Sequence, residues 1–132
     1  MRHAPSAHQV KQRVRWERMG VAIRCGLYPA QPARIRVYLG VGRWLAQQGQ
    51  LDERATHQRM LTLLLDTACD GALPWTWRSV CLEHTPMVVA RLTTLMKRHQ
   101  PAALQDLVDR LQRAQAQLAV APSSTTTSHT ST

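Results

Sequence analysis

The chain has 132 residues, 17 Lys plus Arg against 8 Asp plus Glu, a formal net charge of +9 and a pI near 11.0. That length suits one domain, and 44% apolar residues suit a globular core. No run of about 18 apolar residues is present to span a membrane, and three widely spaced cysteines argue against a disulfide framework and for a reducing cytoplasm. Cys25, Cys69 and Cys81 are each expected as small core hydrophobes.

Charge is unevenly placed. Residues 1–50 hold nine basic residues (Arg2, Lys11, Arg13, Arg15, Arg18, Arg24, Arg34, Arg36 and Arg43) against the single acid Glu17, a net of +8. Residues 51–132 hold eight basic residues and seven acids, a net of +1. Such asymmetry points to an acidic polymer as partner, because like charges repel in a compact state unless something neutralises them. Only two of the 17 basic residues are Lys. Arg presents a planar fork that matches phosphate, although GC-rich codons would also favour it.

In chain order, residues 1–7 are expected as a flexible arm, without the apolar segment of a secretory signal. A helix then runs from His8 to Leu27. Val10, Val14, Val21 and Cys25 form one apolar stripe, and Met19, Ile23 and Leu27 a second. Lys11, Arg15 and Arg18 lie on a third face, and Gly26 before Tyr28-Pro29 ends the helix. Pro29 and Pro32 bracket a turn. A second helix over Ala33–Gln48 places Val37, Val41 and Trp44 toward the core, with Arg36, Gly40 and Arg43 on another face, and stops at Gly49. Two arginines flanking a glycine would let a backbone approach closely; a solvated face with a tolerated glycine is the simpler reading.

Asp52 is the N-cap of a third helix ending near Cys69, with Met60, Leu61, Leu64, Leu65 and Ala68 as its core stripe. A short helix follows over Thr76–Glu83. Thr85 then caps, with Pro86 at the first position, a helix to about His99 that buries Val88, Leu92 and Leu95. Pro101 opens the last helix, with Leu104, Leu107, Val108, Leu111 and Leu118 inside and Asp106–Arg110 and Asp109–Arg113 as ion pairs outside. From Pro122 the chain is polar and of low complexity, so a disordered tail is expected over 121–132. The expected fold is all-α: a compact bundle of five or six helices in one domain over 8–120, divided into a basic half (8–48) and a near-neutral half (52–120).

Catalytic signatures are absent. No HExxH, nucleophile elbow, phosphate loop or dinucleotide fingerprint occurs. The nearest metal-type cluster, Cys81, Glu83 and His84, lacks ligand spacing, and His84 is expected beside a freed backbone carbonyl at a helix boundary. No cofactor and no enzymatic activity are expected. Residues 76–98 offer a short helix, a tight turn and a longer helix. As a helix-turn-helix their turn is short and lacks glycine, and Met87, Val88 and Val89 supply few groups for base edges.

The stretch VKQRVRWERMGVAIRCGL followed by VYLGVGRWL resembles the small conjugal-transfer proteins called TraD of IncP-type and Ti-type plasmids, which are distinct from the coupling ATPase of that name. Gly20 matches a glycine of that family, Cys25-Gly26-Leu27 its Ala-Gly-Leu, and Leu39-Gly40 its later pair. Met19 stands where the family has another glycine. The resemblance covers about residues 10–45. It implies an accessory role in plasmid DNA transfer near the relaxosome, in a bacterial cytoplasm, and transfers no functional residues.

The expectation is therefore a non-catalytic, cytoplasmic DNA-associated protein that contacts phosphates through Lys11, Arg13, Arg15, Arg18, Arg24, Arg34, Arg36 and Arg43, with a relaxosome or other protein partner and a homodimer as further associations. Two alternatives remain: a helix-turn-helix regulator reading bases with Arg78 and Arg91, and an interaction protein whose basic half takes an acidic protein.

Overall fold

The computed structural model describes residues 6–130, with side chains to residue 119. Six helical segments follow in order: α1 (Ala7–Arg24), α2 (Ala33–Gln47), α3 (Glu53–Ala68), α4 (Trp75–Glu83), α5 (Thr85–Met96) and α6 (Pro101–Thr130). Helices α4 and α5 meet at a single residue, His84. No strand occurs among the described residues. The expected tail over 121–132 lies outside the residues whose side chains are described.

Local chemistry sets most helix ends. The expected arm over 1–7 needs correction at its end, since Ser6 and Ala7 belong to the start of α1, while residues 1–5 lie outside the described chain. The Ser6 hydroxyl accepts from the Gln9 amide at 3.2 Å, and the Gln9 side chain accepts from the Ser6 amide at 2.9 Å, so two otherwise unpaired donors are satisfied reciprocally. Gly26 and Gly49 sit at φ 61° and 75° and close α1 and α2. Behind each glycine, the next amide reaches five residues back, Leu27 to Ala22 and Gln50 to Leu45, which is the left-handed stop that glycine allows without a Cβ penalty. Asp52 caps α3 by accepting from the Ala55 amide at 2.9 Å. Thr85, by contrast, does not cap α5. It is buried inside the first turn, and its hydroxyl donates back to the Leu82 carbonyl at 2.7 Å, joining α5 to α4.

One apolar core takes side chains from all six helices, and α3 packs against each of the other five. The α3 stripe is inside as its periodicity predicts: Met60, Leu61, Leu64, Leu65 and Ala68 are all buried. In α5 the buried set is Val88, Leu92 and Met96, with Leu95 only half-buried. Indole N–H groups tie the short α4 to its neighbours. Trp77 donates to the Ile23 carbonyl and Trp75 to the Leu118 carbonyl, each at 3.0 Å.

Helices α1 and α2 form an antiparallel pair, with His8 against Trp44 at one end and Trp16 stacked on Tyr38, ring centroids 5.4 Å apart, farther along. Here part of the expected core is on the wrong face, although Ile23 of the second α1 stripe is buried as expected. Val10, Val14, Val21, Cys25 and Val37 are exposed, and Val41 and Trp44 are only half-buried. The buried residues are Trp16, Gly20 and Ile23 on α1, with Ile35, Tyr38, Leu39, Gly42 and Leu45 on α2. Larger side chains won, because they remove more apolar surface from water. The glycines let them approach. A Cβ on Gly42 would stand 2.6 Å from Met60 Sδ and 2.8 Å from Trp16 Nε1. Gly40, flanked by arginines in sequence, faces open space.

The ion pairs also differ from the i, i+4 expectation. Arg110 of α6 reaches Asp66 of α3 at 2.5 Å rather than Asp106, and Asp109 accepts from Gln105 at 2.9 Å rather than pairing with Arg113. A partner presented by a packed neighbour already has its position fixed, whereas a same-helix pair must order two mobile chains for a small gain.

Candidate nucleic-acid interface

The eight basic residues nominated from sequence separate into three groups. Lys11, Arg15 and Arg18 project from one side of α1, at i, i+4 and i+7. Together with Arg34, from the first turn of α2, they line a shallow surface depression of about 540 Å³. Tyr28 lies in that depression, and the Arg34 guanidinium sits 3.7 Å from its ring centroid, so cation and aromatic face stack. A smaller recess of about 170 Å³ runs inward between Arg15, Arg34 and Tyr28 as far as Trp77. Neither lining contains an acidic residue.

Arg36 and Arg43 stand elsewhere. Both are exposed, and Arg43 faces a groove between α2, α3 and α5. Arg13 is exposed on α1 outside the depression. Arg24 is not available in the way expected. Its guanidinium donates to Asp70 Oδ2 at 2.7 Å. This contact raises the Arg24 pKa and, with the Ala72 amide that donates to Oδ1, holds the Asp70 carboxyl below the usual carboxylate range.

Four ion pairs occur among the described residues: Arg24–Asp70, Arg59–Glu17, Arg91–Glu53 and Arg110–Asp66. Seven of the eight nominated cations thus have no carboxylate partner among the described residues, and Arg24 alone is compensated. Exposed apolar side chains collect beside them. Val10, Val14 and Val21 on α1, with Leu27, Tyr28 and Val37, account for six of the eight large exposed apolar residues among the described ones. Sequence reasoning placed these valines in the core and overlooked Tyr28, whose only sequence signal was its place directly before Pro29 at the end of the first helix.

The residues assigned to base reading in a helix-turn-helix are otherwise engaged. Arg78 is buried, and its Nε donates to the Ala68 carbonyl at 2.8 Å, capping the end of α3. Arg91 is paired with Glu53. His84 holds its Nδ1 2.9 Å from the Val80 carbonyl, at the helix boundary as expected. Burial pushes the Cys81 thiol up to about 12, so it stays protonated, while Cys25 and Cys69 are exposed and are not core residues. Among the described residues no three His, Cys, Asp or Glu gather as a metal-ligand set, and no helix is long and apolar enough to cross a membrane.

Comparison with family models, with curated proteins and with solved structures returns no significant match to this chain.

Proposed function

We propose that this is a non-catalytic DNA-associated protein that holds the phosphate backbone on the α1 side of the α1–α2 pair, through Lys11, Arg15, Arg18 and Arg34. The observation that carries the reading is the gathering of these four cations around one depression without an acid in its lining. Phosphate contacts need exposed, uncompensated cations on a fixed surface, and Arg supplies paired donors in the right plane. Four neutralised phosphates give an expected slope of about −3 to −4 for log affinity against log salt on a short duplex. Replacing Lys11, Arg15 and Arg18 together by Gln should flatten that slope by about 3, whereas Arg24→Gln should leave it unchanged. A flat salt response of the unmodified protein would refute the reading.

An accessory role in conjugative plasmid transfer, in the bacterial cytoplasm beside a relaxosome, is supported by the resemblance over residues 10–45. Transfer genes adjoining the coding sequence would strengthen it, and their consistent absence would remove it.

One observation favours a second reading, binding of an acidic protein. Val10, Val14 and Val21 are exposed next to the cations, a pattern suited to an amphipathic acidic helix. Capture of such a partner that survives nuclease and is lost in Val14→Asp would favour this reading over DNA.

A further inference from the structure

A second surface lies away from the cationic depression. Helices α2, α3 and α5 enclose a groove of about 870 Å³, within the range of roughly 300–1,000 Å³ common to small-molecule sites. Its apolar floor is made by Leu39, Met60 and Val88, which are all buried, and Met87 forms part of its lip. Methionine adapts its shape to irregular apolar ligands. Three charged residues line it. Arg91 and Glu53 neutralise each other at 2.6 Å, and Arg43 remains as the uncompensated cation among the described lining residues.

His57 also lines the groove, and it is only 3% exposed. Its Nδ1 lies 2.8 Å from the Glu53 carbonyl. A carbonyl can only accept, so Nδ1 carries the proton and donates. In the neutral ring Nε2 is then an acceptor with no partner among the described residues. This atom is not sealed from solvent, so a ligand donor in the groove can take the place of water on it.

We infer that this groove binds a small amphipathic anion, with an apolar body over Met60 and Val88, a single acid group at Arg43, and a hydroxyl or N–H donor reaching His57. One net positive charge in the lining fits one negative charge on the ligand. The site is separate from the proposed DNA face and does not depend on it.

The probe is 1-anilinonaphthalene-8-sulfonate, which has an apolar body, one sulfonate and one N–H, titrated by fluorescence and by amide shifts in NMR. A single saturable site is expected, with shifts confined to the groove segments of α2, α3 and α5. Ala90→Trp and Gln47→Trp, at exposed positions lining the groove from α5 and α2, should each abolish it, and either alone suffices should the other fail to fold. Arg43→Gln should weaken the probe by about three- to tenfold yet leave the uncharged N-phenyl-1-naphthylamine unaffected. The inference is overturned if neither Trp variant alters binding, if shifts centre on Val10, Val14 and Val21, or if Arg43→Gln affects both probes alike.

Discussion

Helix α3 packs against all five other helices and has Arg59, Glu53 and Asp66 in ion pairs with α1, α5 and α6. Helix α1 packs chiefly on α2 and α3, and it leaves Lys11, Arg13, Arg15 and Arg18 unpaired and three valines in water. A central helix has its apolar surface and most of its charges answered by neighbours. An edge helix has one covered face, so any second apolar stripe and any excess charge remain on the outside. Position within the bundle, more than composition, decides which residues are left to meet a partner.

The contrast can be broken most forcefully at Trp16. It is 1% exposed, stacked on Tyr38 and packed in the seam between α1 and α2. Trp16→Ala should cost about 3–5 kcal/mol in denaturant unfolding, while Val14→Ala on the exposed stripe should stay within about 0.5 kcal/mol. Equal losses would show that the valine stripe is covered. Glycine provides the next test. Gly42→Ala drives a methyl group to within 3 Å of Met60 Sδ and of the buried Trp16 ring, and should destabilise by about 1–3 kcal/mol. Gly40→Ala meets nothing and should stabilise by about 0.5–1 kcal/mol through helix propensity. The reverse order would mean that α2 is turned about its axis.

The smallest effect concerns the one nominated cation that is compensated. The Asp70 carboxyl titrates lower in the folded chain than in the unfolded chain, first because of Arg24 and then because of the Ala72 amide. A carboxyl lowered on folding stabilises at pH above its unfolded value, and that contribution fades as pH falls from about 4 through the folded value. Melting temperature measured against pH should therefore fall less steeply in acid for Asp70→Asn than for the unmodified chain. Coincident acid limbs would remove the Arg24–Asp70 contact from the stability of the fold.

Much of the architecture is legible in the chain. Asp52, Gly26, Gly49, Pro86 and Pro101 punctuate the helices through capping, left-handed stops and missing donors, all local effects. The core stripe of α3 could be read because its large apolar residues fall on one face. The α1 stripe could not, because apolar residues surround that helix, and spacing gives their angles without saying which angle meets α2. The cationic face was half legible. Lys11, Arg15 and Arg18 share a helix side by spacing alone, but Arg34 joins them, and Arg43 leaves them, only through the way α2 is laid against α1.

The sequence by itself determined an all-helical chain, the approximate ends of its helices and a strong positive charge confined to the first two. Those properties follow from contacts within a few residues and from simple counts. Only the tertiary structure decided that Trp16 and Tyr38, admitted by Gly20 and Gly42, take the core in place of the valines, and that acids from α3 and the turn after it neutralise Arg24, Arg91 and Arg110 while leaving the α1 face positive. Those outcomes depend on which surfaces fit together across the bundle, since packing and ion pairing join residues that are distant along the chain.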